Sequence, residues 1–90
     1  MRLLLAEDER ELSDTIKRVL EYNKYDVDVA YDGERALSLA SELRYDGIIL
    51  DIMMPKMDGI SVVKAMRANK NNTPVIILTA KAEIDDRVLG

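Results

Sequence analysis

Three short apolar runs, each halted by a polar residue, constrain this chain more than any other feature. They are Leu3-Leu4-Leu5-Ala6, Ile48-Ile49-Leu50 and Val75-Ile76-Ile77-Leu78. Runs this short do not make buried helices; they suit strands covered on both faces, as in a parallel sheet. The stretches between them carry helical spacing. Leu12, Ile16, Val19 and Leu20 predict an apolar face on a helix over roughly Glu9–Tyr22, ended at Asn23. Ala36, Leu37, Ala40 and Leu43 predict a second helix, with Asp32-Gly33 as the turn before it and Asp32 as its cap. A third opens at Asp58-Gly59, with Asp58 as its cap and Val62, Val63 and Met66 facing inward. Asp26-Val27-Asp28-Val29 alternates, as expected of a half-exposed strand at a sheet edge. Asn69–Thr73 is a polar loop, and Glu83–Leu89 begins a fourth helix.

Short strands alternating with helices imply parallel pairing through right-handed crossovers. With the alternating second strand on an edge and the first and third side by side, the sheet order becomes 2-1-3-4. This is the flavodoxin-like α/β arrangement, in which ligands bind beyond the carboxyl ends of the strands at the switch point between strands one and three. Glu7-Asp8 follows the first strand there and Asp51 ends the third. Alone, each of these acids is an ordinary turn residue or helix cap. Together they would repel unless a cation sat among them, and Mg²⁺ is the usual oxygen-seeking partner.

The chain has no Cys and no His. That excludes disulfides, zinc sites of the usual ligand types, and Ser-His or Cys-His nucleophiles. Any phosphohistidine in its chemistry must belong to a partner. A net charge of -4 and an isoelectric point near 4.8 argue against nucleic-acid binding by this segment. Ninety residues make one domain. The apolar start at Met1–Ala6 is too short for a signal peptide and meets Glu7-Asp8-Glu9 at once. No run reaches membrane-spanning length, so a cytoplasmic location and no membrane partner are expected.

These residues resemble the receiver domain of two-component response regulators. Glu7-Asp8 is similar to that family's acidic pair, Asp51 to its phosphoacceptor, Met54-Pro55 with Asp58-Gly59 to its Asp-x-x-Met-Pro-x-x-Asp-Gly loop, and Thr79-Ala80 to its hydroxyl-and-small-residue pair. The resemblance covers the whole chain and implies a CheY-like fold. It further implies that a sensor histidine kinase phosphorylates Asp51 in a Mg²⁺-dependent reaction. Asp8 and Asp51 would ligate the metal directly, the Met53 backbone carbonyl would add an oxygen, and Glu7 would act through a water. Thr79 would contact the phosphoryl group and switch on modification. Pro55 and Gly59 would shape the loop and let the third helix pack closely. Lys56, Lys81, Asp85 and Asp86 are read as solvated charges.

The style resembles receivers that precede winged-helix DNA-binding domains, so DNA is expected as a partner only through an output domain outside residues 1–90. The family's fifth strand, its lysine and its fifth helix are not in the sequence. The expectation is therefore a truncated receiver domain with impaired phosphorylation, self-associating through an exposed fourth strand. Three other functions compete. A Mg²⁺-dependent aspartate-nucleophile phosphatase would want an acid at position 53, which is Met53. A flavodoxin-like cofactor binder would want a Gly-rich phosphate loop after the first strand, where Glu7-Asp8-Glu9 stands. An inactive structural fragment would have no chemistry of its own.

Overall fold

The computed structural model describes residues 1–78. Within them lie β1 (Arg2–Ala6), α1 (Arg10–Tyr22), β2 (Asp26–Ala30), α2 (Gly33–Glu42), β3 (Gly47–Asp51), α3 (Gly59–Ala68) and β4 (Val75–Leu78). The four strands form one parallel sheet in the order β2-β1-β3-β4. The apolar runs become β1, β3 and β4, and the alternating acid-Val stretch becomes edge strand β2, as expected. The predicted helix at Glu83–Leu89, together with Thr79, Lys81, Asp85 and Asp86, lies outside the described residues.

The core forms where β1 and β3 meet the helices. Leu4, Ala6, Ile48 and Leu50 pack in one cluster with Ala36, Leu39 and Ala40 of α2 and Val62 and Met66 of α3. Leu4 and Leu50 are wholly buried, and each such leucine contributes about 1.5–3 kcal/mol by leaving water. Leu3, Leu5 and Ile49 alternate to the other face, the one α1 covers. On β4, Ile76 is 66% exposed among the described residues.

Two helix faces differ from expectation. Val19 is 57% exposed and Leu43, the residue capping the end of α2, is 45% exposed, while Ser13 and Leu39 take the buried positions. The cause is phase. Leu12, Ile16 and Leu20 are half-buried, and the wholly buried position between them falls on Ser13, while Val19 lies outside the stripe. The Ser13 hydroxyl is buried with no hydrogen-bond partner among the described residues. Ser13→Ala removes an unsatisfied hydroxyl and improves helix propensity, so it is expected to cost nothing and to stabilise by about 0.5–1 kcal/mol. Urea unfolding checks this; a loss of stability would mean that the hydroxyl has a partner.

The caps hold where expected. Asp32 Oδ1 accepts from the Arg35 N–H at 2.7 Å and Asp58 Oδ1 from the Ser61 N–H at 2.8 Å. From the middle of β2, Asp28 accepts from Arg2 Nε at 3.0 Å, from Arg2 Nη2 at 3.2 Å and from the Tyr45 hydroxyl at 2.8 Å. This clasp ties β1, β2 and the segment before β3 together toward the pole opposite the acids. Burial first, and the bond to Asp28 second, push the Tyr45 phenol up to about 12.

Candidate functional site

Parallel registry brings the acids together. β1 pairs with β3 from Leu3↔Gly47 to Ala6↔Leu50, so Glu7, the residue after β1, and Asp51, the last residue of β3, come next in register. One carboxylate oxygen from each of Glu7, Asp8 and Asp51 lies within 4.8 Å of the others. Glu7 is 2% exposed and Asp51 8% exposed, while Asp8 is open to solvent. The Glu7 N–H donates to the Ala30 carbonyl at 3.1 Å, which continues the sheet ladder and fixes where its side chain starts. Glu7 Oε2 accepts from the Glu9 N–H at 3.0 Å, but Oε1 is buried with no partner among the described residues.

The electrostatics follow from that burial. Desolvation raises the Glu7 carboxyl to about 7, with the Asp51 and Asp8 charges adding to it and the Glu9 amide opposing. Desolvation also raises Asp51; the backbone amides of Met53 and Ile52 pull it back, and the Asp8 charge pushes it up. Three carboxylates converge; among the described residues, the buried Glu7 Oε1 has no hydrogen-bond partner and neither ion pair involves these acids. An all-oxygen donor set with uncompensated negative charge fits Mg²⁺, which takes few carboxylates and keeps waters.

The loop after Asp51 is held by backbone contact. The Gly59 N–H donates to the Ile52 carbonyl at 2.8 Å, and the Gly33 N–H to the Pro55 carbonyl at 3.3 Å. A Cβ at Gly33 would overlap the Met57 carbonyl, and one at Gly59 would overlap the Asp51 carbonyl. Both glycines therefore serve close approach. Among the described residues no glycine has positive φ; Lys24, Lys56 and Lys70 do, at 72°, 71° and 61°. A cleft of about 750 Å³ opens beside Asp8, lined by Met53 and Met54 on one side and by Ser61 and Lys64 of α3 on the other. Met53 itself is 61% exposed.

Two contacts on this rim had no counterpart in the sequence reading. The Arg10 guanidinium lies 4.0 Å from the centroid of the Tyr31 ring. Lys56, read as a solvated charge, has its ammonium 3.8 Å from Asp32 Oδ2 and its side chain 61% exposed. No local spacing signals either pair, because the partners come from separate segments of the chain. Of the sequence-predicted site residues, Glu7, Asp8 and Asp51 converge, Met53 follows Asp51 at the cleft, and Thr79 lies outside the described residues.

The model of the response regulator receiver domain matches residues 3–89. The chain belongs to the response regulator receiver domain family. This receiver domain is 37% identical over its 90 residues to response regulator MprA of Mycobacterium avium (strain 104), and it spans 40% of that relative's length. Among solved structures, the receiver domain of Francisella response regulator 1452 matches at a TM-score of 0.87 and 41% identity, over 98% of this chain and 73% of that one. TrrA of Thermotoga maritima, solved in complex with Mg²⁺-BeF, matches at 0.85 and 35% identity, over 91% and 71%. The fold is thus that of a two-component receiver, with the strand order 2-1-3-4 read from the sequence. Among the described residues, no helix is long and apolar enough to cross a membrane.

Proposed function

We propose that this receiver domain is a Mg²⁺-dependent phosphoacceptor and that Asp51 is the residue modified. The observation that carries the reading is the convergence of a nearly buried Asp51 with Glu7 and Asp8 at the switch point of the sheet. Asp8 and Asp51 would hold the metal directly, with the Met53 carbonyl and, through a water, Glu7 completing its surroundings. Bound there, Mg²⁺ would neutralise charge on the incoming phosphoryl oxygens. An Asp51 carboxylate oxygen forms the new bond to phosphorus while the donor's bond to phosphorus breaks and its electron pair leaves with the donor. The Met53 and Ile52 amides favour the ionised Asp51 that this attack needs. A sensor histidine kinase would supply the phosphoryl group from its own histidine, as the receiver family implies; this sequence has no His. Thr79 would then hold a phosphoryl oxygen and carry the change in shape.

Regulation of transcription through a DNA-binding output domain is the role we propose for a longer parent protein. It rests on the resemblance to receivers of winged-helix regulators and on the response regulators of which this chain spans 40%. An aspartate-nucleophile phosphatase is disfavoured by Met53, which puts a thioether where that chemistry needs an acid. The phosphoryl mimic held by TrrA provides the test. Fluorine NMR of this chain with beryllium fluoride is expected to show bound fluoride resonances that require Mg²⁺ and vanish in Asp51→Asn. Bound resonances that persist in Asp51→Asn would remove Asp51 from the acceptor role.

A further inference from the structure

Besides Lys64, which lines the cleft beside Asp8, two cations stand near the acid cluster in the chain, and neither forms an ion pair with it among the described residues. Arg10 opens α1, two residues after Asp8. Lys56 sits in the loop that leaves Asp51, with positive φ. Both are long side chains that would compete for the carboxylates if nothing else held them. Instead both are held by two consecutive residues, Tyr31 and Asp32, between β2 and α2. The Arg10 guanidinium lies on the Tyr31 ring at 4.0 Å, and the Lys56 ammonium is 3.8 Å from Asp32 Oδ2. The location of this pair is fixed by backbone. Ala30, one residue earlier, accepts the Glu7 N–H, and Gly33, one residue later, donates to the Pro55 carbonyl of the Lys56 loop. Tyr31-Asp32 is thus strung between the two segments that carry the acids.

We propose that Tyr31 and Asp32 form a cation-holding pair that keeps Arg10 and Lys56 off Glu7, Asp8 and Asp51, and so preserves the site's affinity for a divalent cation. The physical reason is competition. A guanidinium that pairs with Asp8 contributes one positive charge and forked donors, which block the oxygens a small divalent cation needs. An aromatic face offers the guanidinium a resting place without a carboxylate partner. Tyr31 is the stronger holder: 4.0 Å from guanidinium to ring centroid is a close cation–π contact, whereas 3.8 Å is near the outer limit of an ion pair between exposed groups. These are positioning residues; neither touches the metal. The proposal rests on the Mg²⁺ reading given above.

The test is a calorimetric titration with Mg²⁺ alone on wild type, Tyr31→Leu, Arg10→Ala, the Tyr31→Leu/Arg10→Ala double variant, Asp32→Asn and Asp51→Asn. Asn keeps the helix cap that Asp32 supplies, so that arm isolates the charge. Circular dichroism melts without metal confirm that each variant is folded. Tyr31→Leu is expected to weaken Mg²⁺ binding about two- to fivefold, the size of an exposed cation–π contact. Removing Arg10 in the same chain restores the wild-type affinity, which loss of packing at position 31 would not allow. Arg10→Ala alone does not weaken binding. The Tyr31→Leu deficit shrinks in concentrated KCl, because screening weakens the displaced guanidinium's hold on the carboxylates. Asp32→Asn shows a smaller loss of the same sign. Unchanged affinity in Tyr31→Leu, or a deficit that survives removal of Arg10, overturns this proposal while leaving the metal site standing. No saturable binding by wild type, or binding indifferent to Asp51→Asn, overturns the metal site and the proposal with it.

Discussion

Metal-free protein is expected to lose about 3 kcal/mol of folding stability as the pH rises from 4.5 to 8, because Glu7 must ionise in a nearly dry position. Glu7 is raised from 4.5 to about 7 in the fold. A carboxyl whose folded value lies above its unfolded one favours folding while it is protonated. That contribution is whole below the unfolded value of 4.5 and disappears as the pH passes through about 7. Asp51 is raised too and acts in the same direction. Asp28 is lowered by Arg2, so its contribution is lost only as the pH falls below the ordinary aspartate range, in a separate window. Added Mg²⁺ favours the ionised cluster and should flatten the decline. Urea unfolding at intervals from pH 4.5 to 8, with and without Mg²⁺, reads both effects. A flat metal-free profile would mean that Glu7 is not desolvated as described.

Gly59→Ala should cost about 2–3 kcal/mol and weaken Mg²⁺ binding at once, as overpacking against rigid backbone does. The Cβ would overlap the Asp51 carbonyl and meet the Ile52 Cα at 3.0 Å. These are backbone atoms of the segment that carries the acceptor, so relief requires Asp51 or the start of α3 to move. Flexible side chains offer no escape here. Because Gly59 has an ordinary φ, the cost is one of space, not of torsion. The paired readouts are the unfolding midpoint and the Mg²⁺ affinity, beside Asp58→Asn, which keeps the cap and should change neither greatly. An alanine variant with wild-type stability and metal affinity would contradict the close approach of α3 to Asp51.

The sheet and the acid cluster were legible for a common reason. Parallel strands buried on both faces must be apolar throughout, so Leu3–Ala6 and Ile48–Leu50 announce both the strands and the points where polar chain begins. Acids placed there fall together once the strand order follows from the one alternating strand. Caps such as Asp32 and Asp58 were legible because they act within three residues. Helix phase was not, since the buried position on α1 falls on Ser13 and the exposed one on Val19, an offset that the spacing of apolar residues does not encode. The rim contacts were not legible either. Arg10 meets Tyr31, and Lys56 meets Asp32, only after the crossovers have brought distant segments to one end of the sheet. The Arg2–Asp28–Tyr45 clasp escaped for the same reason, its members coming from three separate segments.

Intact-mass measurement after incubation with a small-molecule phosphodonor tests the central claim most directly. With Mg²⁺, the wild-type chain is expected to gain the mass of one phosphoryl group, located on the peptide containing Asp51, and to gain none when the metal is chelated. Asp51→Asn should gain none under either condition. A phosphoryl group that forms without Mg²⁺, or that settles on Glu7, Asp8 or another residue with Asp51 intact, would contradict the account.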